Sequence, residues 1–238
     1  MKITLVALGH VEKLVDIQKI KKWKSKIFDV VSIQTMNHLP ESDVHDGYLD
    51  HKYSQDALTT HIHCPENSDL AIAIMPNRFE DGFYLHRLSE NCVGLSLYGI
   101  NDILSPKHIS LENFILKQIY EICALKILVN DFHSDEVYTF VHTDTRGCLF
   151  DLNGDKQDII YNTEMPAICE SCTAIFKKKQ LEDNYYKKLL SELKRLKKPR
   201  ILRIENFIKK YPLLSVILSA LLAIIINLIS NMIFEKIK

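Results

Sequence analysis

Three cysteines and one histidine have the spacing of a metal site. Cys169-Glu-Ser-Cys172 is a CxxC pair, 20 residues separate it from Cys148, and five separate Cys148 from His142. Zinc takes tetrahedral sets of thiolate and imidazole, and a CxxC turn offers two sulfurs to one ion. His142, Cys148, Cys169 and Cys172 therefore form a candidate Cys3His site in which every donor comes from the chain. With no position left for water, such a site is structural, and its zinc contributes on the order of 10 kcal/mol to holding the segment folded. A redox role for the CxxC pair fits less well, because no thioredoxin-like strand precedes it. Cysteines unrelated to one another are the other alternative, and Cys64, Cys92 and Cys123, which stand alone, read as small buried residues. Two further groups have ligand-type side chains, His61-Ile-His63 and the loop with His45, Asp46, Asp50 and His51. In a chain with ten histidines such patterns arise easily on a solvated surface, and His133 in its charged loop reads the same way.

The 238 residues have 30 basic and 30 acidic side chains, so the total charge gives no reason to expect a nucleic-acid partner. The distribution is uneven. Residues 177–210 hold 13 Lys and Arg against four acids, a net +9, and residues 235–238 add +1, which leaves −10 on residues 1–176. Residues 211–234 have no charge, and 17 of the 22 from Leu213 to Phe234 are apolar. At about 1.5 Å per helical residue that run matches the roughly 30 Å of bilayer hydrocarbon. The expected organisation is a body over 1–176, a basic neck over 177–210, a transmembrane helix over 211–234 and a tail over 235–238. The excess of Lys and Arg before the span places the N-terminal body in the cytoplasm. A reducing compartment disfavours disulfides, which strengthens the metal reading of the CxxC pair.

The elements that must position these residues alternate. Apolar, β-branched runs at Ile3 to Leu8, Val30 to Met36, Leu70 to Met75 and Cys92 to Tyr98 predict strands. Helical spacing predicts helices over Val11 to Phe28, Tyr53 to Ile62 and Leu111 to Leu128, the last with Phe114, Ile115, Ile119, Ile122 and Leu125 on one face. The alternation predicts an α/β fold.

This order of elements, with the loop Asp46-Gly-Tyr-Leu-Asp-His-Lys-Tyr, then Cys148-Leu-Phe and Ile168-Cys-Glu-Ser-Cys172, resembles the archaemetzincins, zinc metalloproteases of the metzincin group. The resemblance covers residues 1–176. It implies a mixed sheet with packed helices, a catalytic zinc on the three histidines of HExxHxxGxxH and a structural zinc on four cysteines, the last two as CxxC. At the matching place on the long helix Tyr120 stands for the first histidine, Glu121 for the glutamate and Ala124 for the second histidine. Two imidazoles one turn apart are what grip a catalytic zinc, so that metal is expected to be missing. His142-Thr143 followed by Cys148 fits the family in two ways. His142 is the remaining catalytic histidine with Thr143 replacing a structural cysteine, or His142 itself takes that cysteine's place. Phe150 stands where the family has methionine.

The resemblance implies a pseudoprotease that keeps its structural zinc and serves as a membrane-tethered binding or sensing module, with an extended peptide lying on an edge strand. A divergent zinc metallopeptidase is the alternative. By architecture alone, a bacterial immunity (antiviral defence) sensor or effector acting at the membrane is a third. Membrane lipids and a protein or peptide partner are the expected contacts. Leu181, Tyr185, Leu189, Leu193 and Leu196 recur at helical spacing over 180–198, ahead of Pro199, and predict pairing with a second copy. Ser215, Ser219, Asn227 and Asn231 give the membrane helix small and polar positions that favour self-association. Ile201, Ile204, Phe207 and Ile208 beside Arg203, Lys209 and Lys210 suit an interfacial helix at an anionic leaflet.

Overall fold

The structure, a computed structural model, describes residues 1–44, 51–132, 134–179, 181, 184–196 and 200–237. His45, Asp46, Asp50, His133 and Pro199, singled out above, lie outside the described residues. The chain divides into two compact units, Met1–Lys197 and Lys198–Lys238.

The first unit is built on a five-stranded mixed sheet. Its strands are β1 (Lys2–Leu8), β2 (Asp29–Met36), β4 (Leu70–Met75), β6 (Leu85–Ser89) and β7 (Cys92–Ser96), in the order β2-β1-β4-β7-β6. The first four in that order run parallel and β6 is antiparallel to β7 at the edge. Short β3 (Lys52–Tyr53) and β5 (Arg78–Phe79) pair separately. Parallel strands covered on both faces read as unbroken apolar runs, and all six residues of β4 and all five of β7 are buried. On one face Val6, Leu8, Ala71, Ala73 and Met75 pack with Tyr53, Leu58 and Phe79. By the pleat, Leu5, Ile72, Ile74, Val93 and Leu95, each at most 1% exposed, belong to the other.

The helices of this unit are α1 (Ile17–Lys21), α2 (Gln55–Thr59), α3 (Ile100–Leu104), α4 (Leu111–Val129), α5 (Ile159–Glu164), α6 (Glu170–Lys178) and α7 (Tyr185–Leu193). Two are shorter than their patterns predict. Val11 to Phe28 yields a single 3-10 turn at Val11–Lys13 and the five residues of α1. Asp16 caps α1, and beyond it the Ser25 hydroxyl takes the N–H groups of Ile27 (2.9 Å) and Phe28 (3.2 Å) that a continuing helix would use. Tyr53 to Ile62 yields β3 and then α2, because Ser54 accepts from Ala57 N and starts the helix late. The long helix α4 matches its expected bounds to within a residue, from an N-cap at Ser110 to Asn130 at φ 60°. It is not one-faced, however. Lys117, Gln118, Tyr120, Glu121 and Cys123 are buried along with the predicted stripe, because α1, α3, α5 and α7 all contact α4.

The body does not end at 176. Helix α7, placed in the neck by its charge, belongs to the first unit, with Leu189, Leu193 and Leu196 at most 3% exposed. Its Glu192 is 2% exposed and accepts from Ser25 Oγ (2.5 Å), Lys26 N (2.6 Å) and Tyr120 Oη (2.8 Å). Tyr120 Oη accepts in turn from Trp23 Nε1 (2.8 Å). The stripe predicted to pair with another copy is thus spent within the chain. Hydrogen bonds to a buried charge contribute roughly 1.5–3 kcal/mol each, and removing the acceptor strands its donors. Glu192→Ala is expected to destabilise the domain by about 3 kcal/mol, read as a lower urea midpoint at unchanged zinc content.

The second unit holds α8 (Arg200–Lys210) and α9 (Pro212–Ile237). Within α9, Pro212–Ser230 is a 19-residue stretch long and apolar enough to cross a membrane, and none of it is buried. Ser215 Oγ donates to the carbonyls of Tyr211 (2.9 Å) and Pro212 (2.8 Å), and Ser219 Oγ to that of Ser215 (2.8 Å), so both hydroxyls are satisfied within their own helix.

Candidate metal centre

The four predicted ligands come together. Their donor atoms all lie within 4.8 Å of one another. His142 Nε2 is 3.0 Å from Cys172 Sγ and 3.2 Å from Cys169 Sγ, and Cys148 Sγ is 4.0 Å from Cys172 Sγ. Two sulfurs on one tetrahedral zinc stand about 3.8 Å apart, given Zn–S bonds of about 2.3 Å. The donor set and its spacing are consistent with a zinc site.

The four ligands are held by three pieces of backbone. His142 bridges to the segment at Asp151, its N–H donating to Phe150 O (3.1 Å) and its carbonyl accepting from Leu152 N (2.8 Å). Cys148 follows Gly147, whose φ of 70° starts the turn, and it pairs with Ala167 through Leu149 N to Ala167 O (2.7 Å). Cys169 caps the N-terminus of α6 and Cys172 lies in its first turn, fully buried. The Cys169 N–H points at Cys148 Sγ (3.4 Å), as suits a sulfur that carries negative charge. The buried rings of Phe140, Phe150 and Phe176 meet in tilted contacts with centroids 6.0 and 6.1 Å apart, so the phenylalanine at 150 is part of an apolar wall.

The spacing argument missed Asp151. Its Oδ2 accepts from Arg146 N and Cys148 N, both at 2.9 Å, fixing the turn that presents Cys148. An acid three residues after the cysteine, reaching back to the N–H of the turn, is a local signal that was present in the sequence. Arg146 ties the turn to the CxxC loop through Nη1 to Ser171 Oγ (3.1 Å).

The electrostatics of the sulfurs favour a cation among them. A hydrogen bond from Cys172 and the N–H of Cys169 and Phe150 bring Cys148 down to about 6 against burial. The hydrogen bond with Cys148, burial and the neighbouring thiolates push Cys172 strongly up. Three sulfurs this close cannot all ionise unless a positive ion sits between them, and zinc binding releases the remaining protons.

A comparison of folds returns a crystal structure. That structure is archaemetzincin from Methanopyrus kandleri, with 14% identity over 75% of this chain and 94% of that one, at a TM-score of 0.47. No protein-family model and no curated protein matches the sequence.

Of the two readings of His142, the geometry agrees with the one that puts it beside the cysteines. Thr143 instead lines a separate cavity of about 560 Å3 between β6, α4 and the segment 132–152, with Arg87, Val93, Glu121, Ile122, Tyr138 and Asp151 among its walls. Glu121 is the one residue of the expected motif that reaches this cavity. Tyr120 turns away to Trp23, Phe28 and Glu192, and Ala124 is buried in the core. The edge of β6 is partly closed. Gln55 Nε2 donates to Arg87 O (2.5 Å) and Thr59 Oγ1 to Leu88 O (3.2 Å), so α2 occupies the carbonyls an added strand would need. His51, His61 and His63 are exposed, and among the described residues they are not gathered with other ligands. His61 Nδ1 faces Thr60 Oγ1 (2.8 Å) and Ala57 O (2.9 Å) at the end of α2, not along a strand.

Proposed function

We propose that the chain is a zinc-stapled, non-catalytic recognition module, held at a membrane by α9 with its N-terminal body in the cytoplasm, and that the cavity beside α4 binds a protein or peptide partner without cleaving it. The observation that carries this reading is the position of His142. With three sulfurs around it, all four tetrahedral positions of one zinc are filled from the chain and none is left for the water that hydrolysis requires. Helix α4 contains no histidine, and no HExxH occurs anywhere in the sequence. The membrane part of the proposal rests on the uncharged span of α9 and on the +9 before it against +1 after it. Amphipathic α8, with Ile204 and Phe207 exposed beside Lys209 and Lys210, suits the headgroup layer of that cytoplasmic leaflet.

Three measurements test the proposal together, two on the full chain in detergent and one by fractionating cell membranes. Elemental analysis is expected to find about one zinc per chain, as a closed Cys3His set requires. Casein is expected to stay intact with or without chelator. Truncation after Lys210 is expected to move the protein from the membrane pellet to the supernatant. A second zinc together with chelator-sensitive casein cleavage would establish a divergent metallopeptidase instead.

A further inference from the structure

The cavity beside α4 has a chemistry that the metal centre does not explain. Most of its wall is apolar, with Val93, Ile122, Leu125 and Val137 contributing, and its volume of about 560 Å3 suits a long side chain with part of its backbone. Its charged residues have the opposite character. Asp151 is 1% exposed and has both backbone donors on Oδ2, while the buried Oδ1 has no donor among the described residues. Glu121 is 7% exposed and shares one oxygen with Lys117 Nζ, 2.7 Å away. With its amide set to satisfy both neighbours, Gln118 donates to the same Oε2 (2.9 Å) and accepts from Lys117 (3.1 Å).

Several donors around the cavity are already engaged. The Arg87 guanidinium donates to Phe132 O and Tyr138 Oη, and the Gln55 amide donates to Arg87 O. His86 Nε2 pairs with Asp81. The carboxylates of Glu121 and Asp151 remain in the lining as charged acceptors, and an occupant that pairs with them has to bring donors on an apolar stem. Helix stability does not account for the Lys117–Glu121 pair either. Lysine before glutamate is the weaker order along a helix, and a buried pair seldom outperforms apolar residues of the same volume.

We propose that this cavity takes a cationic alkyl group, the ammonium or guanidinium head of a lysine or arginine side chain on a partner peptide, with its stem along Val93, Ile122 and Leu125 and its head toward Glu121 and Asp151. The inference rests on the reading of the cavity as a partner site. A net charge of −5 on residues 1–197 draws cations toward this unit.

Calorimetric titration of the full chain in detergent micelles tests it, using a blocked pentapeptide with a central lysine among alanines, its norleucine counterpart and cadaverine. The lysine peptide is expected to bind about tenfold tighter than the norleucine peptide, and Glu121→Gln to reduce that advantage to about threefold or less at unchanged zinc content. Val137→Trp, which fills the cavity, is expected to abolish binding of both peptides. Cadaverine as tight as the lysine peptide would support the same chemistry with a free diamine as its source, and cadaverine about tenfold weaker would assign it to a peptide. Equal binding of the lysine and norleucine peptides overturns the cation assignment and leaves the partner site standing, a comparison that needs no variant to fold. Binding of neither peptide overturns both, whatever the zinc count. A lysine advantage that persists in folded Glu121→Gln overturns the role given to that carboxylate.

Discussion

Cys172→Ser is expected to lose the metal and, with it, the folded state of the first unit. Cys172 is fully buried, 3.0 Å from His142 Nε2 and 4.0 Å from Cys148 Sγ. A serine hydroxyl at that position is a far poorer zinc ligand than a thiolate. Structural zinc contributes on the order of 10 kcal/mol, which equals or exceeds the whole stability of many domains of this size. The staple also has much to hold. It joins the segment at His142, the turn at Cys148 and the start of α6, which are otherwise linked by isolated bridges and no continuous strand. The expected result is zinc falling from about one per chain to nearly none, with loss of near-ultraviolet dichroism and rapid proteolysis across 140–180. Cys64→Ser is the control, because Cys64 stands outside the cluster and its thiol already donates to Ser68 O (3.4 Å). It is expected to keep its zinc and its fold. A Cys172→Ser protein that is folded and zinc-loaded would show that the cluster is not a metal site.

The parts of the molecule legible in the sequence share a physical character: their signal is local. β4 and β7, and most of β1, are apolar runs because both faces of the inner parallel strands are covered, and such runs stand out without knowledge of the fold, whereas β2, at the edge, mixes apolar and polar residues and is largely half-buried or exposed. The cluster of His142, Cys148, Cys169 and Cys172 was legible as a group because a metal site restricts both residue type and spacing. What was missed has no apolar pattern of its own or depends on contacts made far along the chain. β6, with the pattern Leu-His-Arg-Leu-Ser, has no apolar run and is a strand because the neighbouring β7 pairs with it. Helix α7 looks like a charged linker in composition. Its membership of the body rests on three leucines and one glutamate whose partners lie more than 70 residues upstream, at Ser25, Lys26 and Tyr120. Charge density describes the exposed face of a helix and says little about the stripe it buries. The same limit applies to α4, where the charged pair Lys117 and Glu121 is buried at 0% and 7% exposure.

That pair gives the second large effect. Lys117→Met is expected to destabilise the first unit by about 3–5 kcal/mol at neutral pH, because it leaves Glu121 as an uncompensated charge in a nearly dry site. The pH dependence follows from the direction of the Glu121 shift. Burial raises its pKa above the ordinary 4.5, with Lys117 opposing, and removing Lys117 raises it further. A raised folded value means that the folded state holds the proton more tightly than the unfolded chain does. The associated stability is complete below the ordinary carboxylate value and is lost as pH rises through the folded one. The deficit of Lys117→Met relative to the unsubstituted protein should therefore be small near pH 4 and largest at pH 7, measured as paired urea midpoints across that range. Removing both charges separates stability from use. Lys117→Met/Glu121→Leu replaces an enclosed ion pair by apolar volume, and is expected to be as stable as the unsubstituted protein or more so, within about 1 kcal/mol. A double variant that is stable yet no longer distinguishes lysine from norleucine would mean that the pair is kept for what enters the cavity. A double variant as unstable as Lys117→Met alone would mean that the two charges hold the centre of α4 together, and the carboxylate would then need no ligand to account for it.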